Sequence, residues 1–208
     1  MDTGLEQLTT ILFKMGEVAQ RAINLAVEGF LEGEDVGDEV RELSELLVTM
    51  TVSVEDKAFE LIVKYQPVAS DLRIINSYMK IAYDMERYGR YGWDISFTHR
   101  KLANCSECVQ SSELMDKITK KTLQMVDTSI KALRDNDADM AKTLAETENE
   151  VDEIYSAYLD LLSKAPPKTK CLVCNLLIVR YLERIADHAT YIGESIVYIA
   201  TGGKVSLR

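Results

Sequence analysis

Two pairs of acidic residues in the second half of the chain are spaced so that their carboxylates lie together. Glu183 and Asp187 are four positions apart, and Glu148 and Asp152 repeat that spacing upstream. Four residues make about one turn of an α-helix, so both members of a pair leave the same face. Clustered carboxylate oxygens suit hard or borderline cations such as iron, manganese, magnesium or calcium.

The two acid pairs stand on either side of a helix stop formed by the prolines at 166–167. Antiparallel pairing of the flanking helices about that stop brings Glu148 level with residues 184–187, and Asp152 level with residues 180–183. Four like charges at one place are unfavourable unless a cation, a proton or an arginine offsets them. One interpretation of the spacing is therefore a carboxylate metal site between these two helices.

The alternative for the same residues is a solvated acidic face crossed by salt bridges from Arg180 and Arg184, since charge runs on helices are usually exposed. The sequence also lacks the Glu-x-x-His pairs of di-iron carboxylate oxidases. His188 directly follows Asp187 and so points to another side of the helix, and His99 lies on a separate segment. We find no arrangement for a general base or a nucleophile.

Four cysteines form two Cys-x-x-Cys pairs, which is the ligand spacing of a structural zinc site. Cys105 and Cys108 precede one helix, while Cys171 and Cys174 open another that starts at the same end of the same bundle. The four thiolates are therefore a candidate structural zinc site. The alternatives are a redox-sensitive thiol pair, or thiols without a function.

The overall charge and hydropathy exclude several classes of partner. The formal net charge is −10 and the isoelectric point is about 4.8. Nucleic acids and anionic lipid surfaces require basic patches, so neither is an expected partner. No run approaches the ~20 apolar residues of a membrane span, and residues 1–16 do not resemble a secretory signal. We expect a cytoplasmic protein that reaches a membrane only through a partner.

Apolar residues recur at steps of three and four along most of the chain, and no stretch alternates as a strand would. The pattern predicts an all-α fold of six helices, in which Pro67 ends the second and Asp137 caps the fifth. Short connections favour antiparallel neighbours, so the chain is expected to form two tandem three-helix up-down-up bundles. The boundaries we predict are a first repeat at 1–101, a linker at 102–111 and a second repeat at 112–208.

Three stretches carry a resemblance to a known family. Residues 65–73, 84–89 and 181–188 read YQPVASDLR, DMERYG and YLERIADH. The proline-containing turn and the Glu-Arg-Ile-Ala-Asp helix resemble the PhoU family of phosphate-uptake regulators, in the same order and with the same internal duplication. The resemblance implies two tandem three-helix bundles. It also implies multinuclear metal clusters, chiefly iron, at acid-x-x-x-Asp motifs such as 148–152 and 183–187.

The first repeat departs from these motifs. At the repeat offset of 97 residues, Thr51 and Glu55 replace the first acid pair, and Glu86 and Arg90 replace the second. An arginine repels a cation, so we predict no metal cluster in the first repeat. Glu86 and Arg90 are four apart and are expected to form an ion pair.

The resemblance implies a non-enzymatic, cytoplasmic negative regulator of phosphate uptake and of phosphate-responsive signalling. Its partners would be components of a phosphate transporter, a sensor kinase, or both, and it would form a homodimer or a larger homo-oligomer. Trp93 is the first candidate for a partner contact if it is partly exposed. The alternatives are a metal-dependent helical-bundle carboxylate enzyme and a metal-free helical adaptor.

Overall fold

The computed structural model describes residues 1–102, 113–163 and 169–208, and every regular element within them is an α-helix. The all-α prediction is therefore confirmed. The predicted boundaries of the linker stay predictions, because residues 103–112 lie outside the described part of the chain. The helices are α1 (Asp2–Glu32), α2 (Gly37–Tyr65), α3 (Ser70–Leu102), α4 (Glu113–Asp135), α5 (Ala138–Lys142), α6 (Leu144–Ser163) and α7 (Thr169–Thr201).

The first repeat consists of α1, α2 and α3, which pack against one another in antiparallel order. Each helix buries one apolar stripe and exposes its charged side, which is the pattern expected of a three-helix bundle. α2 ends at Tyr65, as predicted from Pro67, and Gln66 follows in the left-handed conformation with φ of 46°. The carboxylates of Asp35 and Asp38 hold Arg100 at 2.8 and 3.0 Å, which ties the α1–α2 turn to the end of α3.

The second repeat repeats this arrangement with α4, the α5–α6 segment and α7. Asp137 caps α5 as predicted, because its carboxylate accepts from the backbone N–H groups of Asp139 and Met140, both at 2.9 Å. The sequence predicted one continuous fifth helix, but the structure divides it into α5 and α6. At Thr143 both the backbone N–H and the hydroxyl donate to the Met140 carbonyl, and this tighter turn separates α5 from α6.

The two repeats pack side by side through α3 and α7, and α1 also contacts α4. Their buried apolar residues form one continuous cluster rather than two separate cores. Tyr88 of α3 is fully buried, and its hydroxyl lies 3.0 Å from the hydroxyl of Ser129 on α4. The antiparallel α6 and α7 that carry the acid pairs are therefore held on a scaffold shared by both repeats.

Candidate functional site

Three of the four predicted acids come together in a groove between α6 and α7. Glu148 of α6 is 3% exposed, and Glu183 and Asp187 of α7 are 6% and 1% exposed. Asp152 is exposed to solvent at the edge of the same groove. We call these four residues the acidic site. The expected convergence is present, but the alternative of a solvated face is wrong, because three of the carboxylates are buried.

Two arginines on α7 pair with the acids of the same helix. Arg180 Nη1 lies 2.6 Å from Glu183 Oε1, and Arg184 Nη1 lies 2.5 Å from Asp187 Oδ2. Both pairs have i, i+3 spacing, so each arginine is one turn before its acid. The salt bridges predicted from Arg180 and Arg184 are therefore present, although they stand over buried carboxylates.

A third arginine was missed by the sequence reasoning. Arg208 lies beyond α7, where residues 202–208 turn back along the helix. Its Nη2 is 2.9 Å from Asp187 Oδ1 and its Nε is 3.7 Å from Glu148 Oε1. Arg208 thus bridges an acid of α6 and an acid of α7. No local motif signals this contact, because it depends on the path of the chain after the helix ends.

Burial raises the pKa of two of these acids, Glu148 and Glu183. For Glu148 the desolvation of the carboxylate is the largest cause, followed by the nearby negative charge of Asp152. For Glu183 desolvation again comes first, followed by the charge of Asp187, and both effects exceed the opposing influence of Arg180. The ionised forms of these two acids are thus disfavoured, and a proton or a cation at this place would be stabilised.

The donor atoms of the acidic site fit a hard cation in type. Glu183 Oε2 and Asp187 Oδ1 are buried oxygens without a hydrogen bond, although Asp187 Oδ1 does lie within ion-pair distance of Arg208. Among the described residues, no three His, Cys, Asp or Glu side chains are placed to ligate one ion. Each buried carboxylate instead faces an arginine. Metal binding at Glu148, Asp152, Glu183 and Asp187 stays a prediction.

The counterpart groove in the first repeat differs from expectation in one contact. Arg90 does not pair with Glu86; its Nε lies 3.5 Å from Asp94 Oδ1, and its guanidinium stacks over the ring of Trp93 at 4.6 Å. Glu86 stands four residues before Arg90 and Asp94 four residues after it. Arg90 pairs with Asp94, and in this position its guanidinium also stacks on Trp93. Thr51 is buried, and its hydroxyl donates to the Leu47 carbonyl at 3.1 Å.

A buried polar contact joins the two repeats beside the acidic site. His188 Nδ1 of α7 lies 2.8 Å from Asp84 Oδ1 of α3, and the rings of Tyr91 and Tyr191 contact the imidazole. Burial raises the pKa of Asp84, against the opposing hydrogen bond and charge of His188. His188 does leave α7 on a different side from Asp187, as expected, but its partner Asp84 was not predicted from the sequence.

The cysteine prediction falls only partly on described residues. Cys174 is buried and Cys171 is half-buried, and both lie in the first part of α7. Cys105 and Cys108 lie outside the described residues. The four-cysteine zinc site therefore stays a prediction.

The duplicated three-helix bundle with an acidic groove in its second copy places the chain among helical proteins built from a tandem repeat. The chain belongs to the PhoU family, because the PhoU domain matches residues 12–97 and again residues 115–196. The family resemblance and the tandem architecture expected from the sequence are both confirmed.

Relatives match the chain over nearly its full length. A phosphate-specific transport system accessory protein PhoU homolog of Clostridium acetobutylicum is 29% identical over 212 residues, covering 99% of this chain and 96% of the relative. The homolog of the same name from Pseudomonas aeruginosa is 28% identical over 206 residues, covering 97% of this chain and 85% of the relative.

Solved structures show the same architecture. The crystal structure of PhoU from Pseudomonas aeruginosa matches with a TM-score of 0.91 and 26% identity, covering 97% of this chain and 99% of that chain. The phosphate transport system regulatory protein PhoU from Streptococcus pneumoniae shares the fold, with a TM-score of 0.74 and 22% identity over 99% of each chain. Within the described part of the sequence, no helix is long and apolar enough to cross a membrane.

Proposed function

We propose that this protein is an accessory regulator of a phosphate transport system, which acts in the cytoplasm as a negative regulator of uptake and of phosphate-responsive signalling. The observation that carries the proposal is similarity over nearly the whole chain to relatives named as phosphate-specific transport system accessory proteins. The protein acts by contact with components of the transporter, with a sensor kinase, or with both, and it assembles as a homodimer or a larger homo-oligomer. It is not an enzyme.

An exposed apolar surface on α2 supports action through protein contacts. Val48, Val52, Phe59 and Val63 recur at helical spacing on one side of the helix and are 46%, 50%, 59% and 77% exposed. We call these four residues the apolar stripe. Exposed apolar side chains aligned in this way are typical of surfaces that bind another protein. Trp93 is half-buried under Arg90, so it presents less surface to a partner than Phe59 does.

The acidic site is the proposed metal site of this regulator. Glu148, Glu183 and Asp187 would hold a divalent cation such as iron, with Asp152 completing the set from the exposed edge. The ion would supply the positive charge that three arginines supply in the structure. The two buried oxygens without hydrogen bonds and the raised pKa values of Glu148 and Glu183 support this assignment. Because the ligands come from both α6 and α7, a bound ion would fix the position of these two helices relative to each other.

A metal-free helical adaptor is the second candidate function. The observation that favours it is that each buried carboxylate already has an arginine partner. The alternative of a metal-dependent carboxylate enzyme has no comparable support, since we identify no general base beside the acids.

The test is capture of partners by the full chain from cells grown in rich and in limiting phosphate, together with metal quantification of the purified protein. We expect phosphate transporter components in the captured fraction, in amounts that depend on phosphate. A metal-binding regulator should contain enough divalent metal to fill one site per chain and should lose it in Glu183→Gln. An adaptor should contain none. Glu153→Gln, an exposed change on α6, is the control. Capture of unrelated proteins regardless of phosphate would contradict the proposal.

A further inference from the structure

Residues 202–208 fold back along α7 instead of extending into solvent. The reversal begins at Gly202, whose φ of 73° lies in the left-handed region that favours glycine. Leu207 is 7% exposed, and its amide donates to Glu194 Oε1 at 2.9 Å. Leu207 packs over Gly193, where an added Cβ would come within 3.0 Å of the leucine methyl group. The segment is thus docked by an apolar anchor and a backbone hydrogen bond.

The anchor places the guanidinium of Arg208 inside the acidic site. Arg208 contacts Asp187 of α7 and Glu148 of α6, as described above, and it also donates to the hydroxyl of Tyr191 while stacking over that ring. Arg180 and Arg184 neutralise acids of their own helix. Arg208 differs from them because it joins the two helices, as a metal ion ligated from both would do.

The contact between Arg208 and Asp187 is held by charge more than by a directed hydrogen bond. The atoms are 2.9 Å apart, yet Asp187 Oδ1 has no hydrogen bond of acceptable angle. Arg208 is also 40% exposed in its side chain, so water reaches it. A charge contact with poor alignment, made from a partly exposed arginine to a buried carboxylate, is weaker than the aligned pairs that Arg180 and Arg184 make.

We propose that residues 202–208 are a tethered occupant of the acidic site, in which Arg208 stands where a divalent cation binds and leaves when the cation arrives. The inference rests on the proposed metal site and adds its regulation. Metal and segment exclude each other because both use Asp187 and Glu148. Metal binding would then release Leu207 from α7 and uncover Gly193. Occupancy of the buried acidic site would thus change the surface of the protein.

The test is titration of the full, metal-depleted chain with Mn²⁺, an ion that prefers oxygen ligands and so avoids the cysteines. Arg208→Gln removes the competing charge, and Leu207→Ser removes the anchor but keeps that charge. Arg41→Gln is the matched control, since it removes an exposed arginine that pairs with Glu45 on α2. If the segment is docked about nine-tenths of the time, both variants bind Mn²⁺ about tenfold more tightly than the wild type, and the control is unchanged.

A second measurement follows the segment itself. The amide of Leu207 is expected to be protected from hydrogen exchange in the metal-free wild type and to lose that protection when Mn²⁺ saturates the site. Equal affinity in all variants, with the amide still protected at saturation, would overturn the competition and leave the metal site standing. Tighter binding in Arg208→Gln but not in Leu207→Ser would also overturn it, because charge alone would then account for the effect. Absence of Mn²⁺ binding, or binding that survives in Glu183→Gln, removes both the proposed site and the inference.

Discussion

The buried acids of the second repeat do not have equal partners. Glu183 and Asp187 each have an arginine of their own helix within 2.6 Å, whereas the ion pair of Glu148 is 3.7 Å long and comes from Arg208. Glu148 is also desolvated and close to the charge of Asp152, which together raise its pKa. Ionisation of Glu148 therefore destabilises the folded protein relative to the unfolded chain, in which the carboxylate is solvated.

Glu148→Gln is expected to stabilise the metal-free protein at neutral pH. The pKa of Glu148 is higher in the folded state than its ordinary value of 4.5, so the cost of ionisation is absent below about pH 4.5 and grows as the pH rises through the folded pKa. The gain should be roughly 1 kcal/mol at pH 7 and vanish near pH 4.5. Urea unfolding across this pH range in the presence of a chelator measures it.

The matched variant for this prediction is Glu153→Gln, on the same helix but exposed. It should show no comparable gain. A Glu148→Gln variant that is less stable than the wild type at pH 7 would mean that the ion pair with Arg208 outweighs the burial of the carboxylate.

At the scale of single elements, the ends of the helices are set by local residues. The exposed side of α2 and the acidic side of α6 serve different contacts. Asp137 supplies the capping oxygen that starts α5, and Pro67 lies just past the end of α2. The apolar stripe of α2 faces solvent, whereas the corresponding α6 of the second repeat carries Glu148 and Asp152. At the repeat offset of 97 residues, Glu148 and Asp152 correspond to Thr51 and Glu55, so the acid pair and the apolar stripe occupy different positions of the equivalent helices.

Asp137→Ala is expected to lower the free energy of unfolding by about 1 kcal/mol, because two backbone N–H groups at the start of α5 lose their acceptor. Asp135→Ala, an exposed neighbour before the cap, should change stability by less than half as much. Chemical denaturation of both variants gives the comparison. Equal effects would show that general charge, and not capping, is the cause.

Phe59→Ser is expected to weaken capture of the partner without loss of stability, since Phe59 is 59% exposed and lies in the middle of the apolar stripe. A loss of tenfold or more in affinity is typical when a central aromatic contact is removed. Leu161→Ser on α6, where the leucine is 52% exposed, is the control. Capture and thermal unfolding are measured on the same preparations, and a similar loss in both variants would exclude the stripe as the specific surface.

At the scale of the whole molecule, the two repeats form one cooperative structure. The apolar core is continuous across α3 and α7, and the contacts between Asp84 and His188 and between Tyr88 and Ser129 are buried at the junction. Neither repeat could lose its fold without exposing the buried face of the other. We therefore expect the chain to unfold in a single transition.

Trp93 is the only tryptophan and lies in the first repeat, so its fluorescence reports that half, while circular dichroism reports all helices. The two urea transitions should coincide. Tyr88→Phe should lower stability by about 1 kcal/mol and move both curves together, because a buried hydrogen bond between the repeats is lost. Tyr83→Phe, at an exposed ring, is the control. Separate midpoints for the two probes would contradict cooperative unfolding.

The sequence predicts what local spacing determines and fails where distant segments meet. Four-residue spacing placed Glu183 and Asp187 on one face of α7, and Pro67 located the end of α2. Arg90 has an acid on each side at the same distance, so spacing alone could not choose Asp94 over Glu86. The position of Arg208 depends on a chain reversal at Gly202 and on the room over Gly193, neither of which leaves a pattern in the residues nearby.

The buried junction between the repeats also limits how such a duplicated chain can change. Exchange of one repeat for that of a relative would bring a new α3 against an old α7, and an acid at position 84 would then face whatever residue replaced His188. Either half of the junction is acceptable only with its own counterpart. We therefore expect exchanges between relatives to preserve the fold best when they carry both sides of the junction together.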